Sequence, residues 1–229
     1  MTIQEISKHF LNEVGYHEKE SNKDLYTDKN NGNKNFTKYA DIVKNTKLFN
    51  GNKQGVEWCA VFIIANFYML FGEDITHKIL NIPNNSSAAG CKFFYDYMDH
   101  IKRPLPGCII FFGSDKPTHV GYVYKVDDKK VYTVEGNTGN AVKKHSYALD
   151  SKKIYGYGLP RYDHAKNNSG NYTFKVKAIS GLRVRKGPST DTDTLLVLKF
   201  GSSIKGVIYN SEWIKIEDGY ISRKWVDVI

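Results

Sequence analysis

Cysteine is scarce and odd in number in this 229-residue chain: Cys59, Cys91 and Cys108 are all there is. Three scattered thiols make no disulfide framework, and none stands at the close Cys/His spacing of a zinc site. A pairing of Cys91 with Cys108 stays open. Long apolar runs are lacking too. The longest, Cys59 to Phe71, contains Asn66 and is too short to span a bilayer. No apolar leader opens the chain, because "MTIQEISKHFLNEVG" carries charge throughout and does not read as a secretory signal peptide. The expectation is a soluble protein made in a cytosol.

Negative charge is in deficit. Against 33 Lys and Arg stand 24 Asp and Glu, a balance of +9. That excess suits an acidic partner such as nucleic acid, an anionic membrane or a bacterial wall polymer, or it serves solubility alone. It is spread over both halves of the chain, and no nucleic-acid recognition motif accompanies it. What the chain has in plenty is aromatic surface: 16 Tyr, 12 Phe and 3 Trp are enough to build one large core or two modest ones.

Ile3, Ile6, Phe10, Leu11 and Val14 recur at helical spacing before Gly15. The polar "HEKESNKDLYTDKNNGNKN" reads as a long loop. "FTKYADIVKNT" has a short helical pattern, and the run from Cys59 is apolar on all sides, as in a buried helix. A further helix over "AAGCKFFYDYMDH" is expected to start near Ser86 or Ser87. Past "RPLPG" the pattern changes to strands: "CIIFFG", "HVGYVYKV", "KVYTVEGN" and "KKIYGYGLPRY". Helices followed by strands predict an α+β domain over residues 1–162. "DHAKNNSG", residues 163–170, reads as a linker. Residues 171–229 carry short strands with turn signals about every ten residues, which predicts a small all-β barrel.

The chemistry turns on "GVEWCAVFI". A cysteine nucleophile needs a thiolate, a base and donors for the oxyanion. Cys59 is expected in the first turn of its helix, where unpaired N–H groups and the dipole favour the thiolate. Taken alone, such a cysteine is more often a small core residue. His119 opens the strand "HVGYV", Glu135 closes "VYTVE", and Asn137 follows two residues later. A hairpin through "DDKK" brings His119 and Glu135 to one end of the sheet, where an acid or amide can orient an imidazole.

The blocks "EWCAVFI", "PGCIIFF", "HVGYVYKV", "VYTVEGNTGNAV" and "IYGYGLPRY", in this order, resemble the CHAP domain, the cysteine, histidine-dependent amidohydrolase/peptidase family. "GYHEKESN" and "FTKY" also resemble segments that precede the cysteine in clostridial and phage members. The resemblance covers about residues 4 to 162. It implies a papain-like α+β fold with Cys59 as nucleophile, His119 as general base, Glu135 and Asn137 orienting the histidine, and the Cys59 N–H in the oxyanion hole. The family's usual "PGD" reads "PGC" here, with Cys108 in place of a structural aspartate. Some members hold calcium just before the cysteine. "NGNKQGVEW" lacks the paired aspartates, so no metal and no cofactor are expected. "LRVRKGPS" and the strands after it resemble a bacterial SH3 (SH3b) domain, which implies peptidoglycan binding; Trp213, Tyr220 and Trp225 are its core or groove aromatics, with Trp213 expected in the core. Together the resemblances imply a monomeric peptidoglycan hydrolase of endolysin type that neither binds nucleic acid nor inserts in a membrane. Such a protein is made in the host cytoplasm and acts on the wall after release. A host autolysin with the same chemistry and a non-catalytic wall-binding protein are the alternatives. The resemblance does not separate an N-acetylmuramoyl-L-alanine amidase from an endopeptidase.

Overall fold

Helical spacing puts Ile3, Ile6 and Phe10 on one face. In the computed structural model, which describes residues 1–164, 172–209 and 212–229, all three are buried along helix α1, Ile3–Asn12. The Phe10 ring stacks on Tyr122 at 3.9 Å. The polar stretch after Gly15 forms no helix or strand, but it is laced down by isolated bridges, His17 to Ala141 and Lys19 to both Asn31 and Phe36. Helix α2, Lys38–Val43, starts at Thr37, whose hydroxyl accepts the Ala40 N–H at 3.1 Å. Helix α3, Cys59–Phe71, is buried from Cys59 through Phe67 and surfaces only in its last turn.

Two helices depart from the sequence expectation. Helix α4, Glu73–Leu80, follows directly on Gly72; its first turn is acidic and Asn81 ends it in the left-handed conformation. Helix α5, Cys91–Tyr97, begins after Gly90 rather than at Ser86 or Ser87. The Ser86 hydroxyl donates to the Leu48 carbonyl instead, and a turn closed by Gly90 N–H to Ser87 C=O precedes the helix.

The sheet that follows has strands β1 (Asp99–Ile101), β2 (Ile109–Phe112), β3 (His119–Val126), β4 (Lys130–Glu135), β5 (Lys143–Ala148) and β6 (Ile154–Leu159). Their order is β1-β6-β2-β3-β4-β5, and every ladder is antiparallel. The "DDKK" turn between β3 and β4 is set by one side chain: Asp127 Oδ1 accepts the N–H groups of Lys129 at 2.9 Å and Lys130 at 2.8 Å. Helix α3 packs against β3. Gly136, just past β4, permits close approach to α3, since a Cβ there would lie 2.6 Å from Phe62 Cβ and 2.8 Å from the Trp58 ring. A 3-10 turn over Tyr162–His164 follows β6, and the Tyr162 hydroxyl donates to the Gly107 carbonyl at 2.8 Å.

Backbone contacts divide the chain into two compact units, Gln4–Ala165 and Lys166–Ile229 with Met1–Ile3. Of the expected linker, Asp163 and His164 lie in the 3-10 turn, and residues 165–170 lie outside the described residues. The second unit carries strands β7 (Tyr172–Val176), β8 (Leu182–Arg185), β9 (Thr194–Leu198), β10 (Ser203–Ile208), β11 (Trp213–Ile216), β12 (Gly219–Ser222) and β13 (Val226–Val228). They form one antiparallel sheet in the order β13-β7-β10-β11-β12-β8-β9. Among the described residues no ladder joins β9 to β13, so the small all-β barrel expected from the turn spacing is seen as a seven-stranded sheet without a closing ladder. Trp213 is buried, as expected, whereas Trp225 is 44% exposed. The architecture is thus mixed, with five α-helices among the described residues and two antiparallel sheets.

Candidate active site

Cys59 is the first residue of α3, with Trp58 as N-cap. Trp58 is fully buried, and its indole N–H donates to Glu18 Oε2 at 2.7 Å. Glu18 is itself 1% exposed, and its other oxygen accepts the Asn35 N–H at 3.0 Å. A buried carboxylate from the polar loop therefore holds the residue that positions Cys59. Stacking of Trp58 on Tyr39 at 5.6 Å closes the far side.

His119 is the first residue of β3, paired across the ladder with Phe112, whose ring lies 5.7 Å from the imidazole. Its Nε2 is 2.9 Å from Glu135 Oε2 at the end of β4. Glu135 is 1% exposed and also accepts hydrogen bonds from the Thr133 hydroxyl and, at 3.3 Å, from the Tyr147 hydroxyl. Burial of a carboxylate is costly unless its oxygens are hydrogen-bonded, and here three donors meet them. With Nε2 committed to Glu135, Nδ1 is the nitrogen left to face the Cys59 thiol, which is near enough to raise the imidazole's affinity for its proton.

The thiol has a second neighbour. Cys91, the first residue of α5, puts its sulfur 3.4 Å from Cys59 Sγ, and both are buried. No disulfide joins the cysteines, and the neighbour of Cys91 is Cys59 rather than Cys108. The hydrogen bond with Cys91 is the largest influence on Cys59. Burial opposes it, while the bond and charge of His119 and the Ala60 N–H reinforce it, so the thiol is lowered to about 5. Cys91 is pushed up, first by that same bond and then by burial. For His119 the largest single influence is burial, which disfavours charge. The hydrogen bonds and negative charges of Cys59 and Glu135 outweigh it and raise the imidazole to about 10.

The structure thus brings Cys59, His119 and Glu135 together. Asn137 lies elsewhere in the site: it adopts a left-handed φ of 57°, and its amide donates to Glu57 Oε2, two residues before Cys59. That bond ties the loop after β4 to the loop before α3. Glu18, Thr133, Tyr147 and Cys91 support the site without having been read from the sequence. Thr133 and Tyr147 lie on strand positions where either residue is ordinary, and Glu18 sits within a charged polar stretch. Only the presence of a second cysteine in the same half of the chain pointed toward Cys91.

Residues 51–137 match the family described as CHAP domain, and this span holds Cys59, Cys91, His119, Glu135 and Asn137. No curated protein matches the chain. Among solved structures, the chain is similar to the crystal structure of Ly7917 with the hydrolyzing product of MDP. The identity is 14%, the match covers 100% of this chain and 98% of that one, and the TM-score is 0.42. A second crystal structure of Ly7917 matches at 14% identity over 100% of this chain and 98% of that one, with a TM-score of 0.38. NlpC2 from Trichomonas vaginalis matches at 8% identity over 56% of this chain and 46% of that one, with a TM-score of 0.22.

Proposed function

We propose that the unit Gln4–Ala165 hydrolyses an amide bond of bacterial peptidoglycan with Cys59 as nucleophile, His119 as general base and acid, and Glu135 as the group that orients His119. The observation that carries this reading is one set of neighbours: a thiol in the first turn of a buried helix, an imidazole that acts on its charge, and a buried carboxylate 2.9 Å from the Nε2 of that imidazole. The CHAP match over the same residues supports amidohydrolase or peptidase chemistry.

In this reading the Cys59 thiolate attacks the carbonyl carbon of the scissile amide. The carbonyl oxygen takes up negative charge beside the Cys59 N–H, which α3 leaves without an intrahelical acceptor. The His119 imidazolium gives its proton to the leaving nitrogen, and the C–N bond breaks to leave a thioester on Cys59. His119, now neutral, takes a proton from water; the hydroxide attacks the thioester, and the thiolate departs. Glu135 stabilises the imidazolium throughout and sets which nitrogen faces the sulfur. His119 is 27% exposed at its side chain while Glu135 is almost closed off, so substrate reaches the imidazole without reaching the carboxylate.

The second unit we read as a wall-binding SH3b module. Its short antiparallel strands support that, as do its surface aromatics: Trp225, and Tyr209 packed edge-on against Tyr220 at 5.1 Å. Mass spectrometry of the fragments released from purified cell wall tests the activity. The expected products carry a new amine and a new carboxylate, and their masses tell whether the bond joins muramic acid to alanine or lies within the peptides. Release of fragments ending in new sugar termini, or no release at all, contradicts the reading.

A further inference from the structure

Cys91 contacts no reacting atom of the substrate in the mechanism above, yet its sulfur stands 3.4 Å from that of Cys59. The two are the first residues of α3 and α5, elements that are 32 positions apart along the chain and are brought face to face by the fold. A small hydrophobe would fill the space of Cys91 as well; a second thiol in contact with the first adds chemistry that packing does not require. We propose that Cys59 and Cys91 form a reversible oxidation site, in which a hydroperoxide oxidises Cys59 and Cys91 resolves the product as an intramolecular disulfide that shuts the site. The loss of activity rests on Cys59 being the nucleophile; the disulfide itself does not.

The steps balance with hydrogen peroxide as the oxidant. The Cys59 thiolate attacks one peroxide oxygen, the O–O bond breaks, and the departing hydroxide takes the His119 proton to leave as water. Cys59 is then a sulfenic acid. The Cys91 sulfur attacks the Cys59 sulfur, the S–S bond forms, the S–O bond breaks, and the departing hydroxide leaves as water with the Cys91 proton. Two thiol sulfurs are oxidised and one peroxide is reduced to two waters. The sulfurs must close from 3.4 Å to the bonded distance of about 2.05 Å, a movement small enough for side-chain rotation with slight give of the α5 end. The two thiols are shifted in opposite directions, Cys59 down and Cys91 up, which favours Cys59 as the partner that attacks the peroxide. Without a resolving thiol, the sulfenic acid proceeds to the sulfinic acid, which dithiothreitol does not reduce.

The test treats the full chain with hydrogen peroxide and follows wall lysis and peptide masses together. The expected wild-type result is loss of two hydrogens, a linked peptide joining Cys59 to Cys91, loss of lysis in step with that link, and recovery of lysis on adding dithiothreitol. Cys91→Ser, each measurement being referred to that variant's own starting activity, is expected to form no link, gain two oxygens at Cys59 and stay inactive after dithiothreitol. Cys91→Ala serves as a second variant and is expected to do the same. Absence of the Cys59–Cys91 link in the folded wild type, a link from Cys91 to Cys108 instead, or wild-type inactivation as irreversible as that of the variants overturns the proposal. A complete Cys59–Cys91 link with lysis unimpaired supports the oxidation site and overturns both the switch and the nucleophile assignment.

Discussion

Cys59 is nearly closed off from solvent, at 5% exposure, yet its thiol is lowered, because Cys91, His119 and the Ala60 N–H all favour the negative sulfur. The pH dependence follows from two directions. Cys59 is lowered to about 5, so its thiolate is present above that value and lost as pH falls through it. His119 is raised to about 10, so the imidazolium is present below that value and lost as pH rises through it. Activity on a soluble peptidoglycan fragment is therefore expected to be bell-shaped, with both limbs belonging to the coupled pair. Alkylation of Cys59 should already be fast near neutrality. A rate that rises only above about pH 8, as for a free cysteine with pKa about 8.5, contradicts the account. Substitutions should be graded. Cys59→Ala and His119→Ala are expected to lower kcat/KM on the order of a thousandfold or more with the fold kept. Glu135→Gln is expected to lower it roughly a hundredfold while leaving measurable turnover, because it acts through His119. Steady-state kinetics alongside circular dichroism checks all three.

At the scale of elements, the site depends on how α3 is seated against β3 and β4. Its N-cap side chain makes no capping bond to the helix backbone; the helix start is held through the Trp58 indole and Glu18. Glu18→Ala leaves a buried indole N–H and the Asn35 N–H without their acceptors. The expected cost is about 1–3 kcal/mol of stability, with partial rescue by Glu18→Gln, which keeps an acceptor for the indole. Denaturant unfolding measures both, and an unchanged midpoint for Glu18→Ala contradicts this role. The contrast between these residues explains what was legible in the sequence. Cys59, His119 and Glu135 stand at the ends of strongly patterned apolar elements, so α3, β3 and β4 and their junctions could be read. Strands β1 and β5 are edge strands with mostly exposed residues, and "KKHSYA" has too little apolar alternation to read as a strand. Helix α4 adjoins the apolar run with only Gly72 between, and its short, largely polar sequence does not read as a separate helix. Glu18 and Cys91 acquire their roles from contacts 40 and 32 residues away in sequence, and local pattern carries no trace of such distant partners.

At the scale of the whole molecule, two compact units and a charge of +9 frame the remaining expectations. Removal of residues 163–229 is expected to leave turnover of a soluble fragment largely intact while weakening association with whole walls, because each unit has its own buried core. Wall binding by the full chain is expected to fall as salt rises and the Debye length shrinks to about 8 Å at 0.15 M. Turnover of the soluble fragment, which lacks the wall polyanion, should change little. Co-sedimentation with walls across a salt series checks both. Equal pelleting of the truncated and full-length proteins, or equal salt sensitivity on walls and fragment, contradicts this division of labour.

In the proposed mechanism Cys59 forms a covalent bond to the wall during hydrolysis. Acid quenching within the first turnover on a soluble wall fragment, followed by mass spectrometry of the protein, observes that bond directly. The expected result is an adduct of the acyl half of the fragment, mapped to the peptide containing Cys59 and absent from Cys59→Ala. Rapid turnover with no adduct on Cys59, retained in Cys59→Ala, would contradict it.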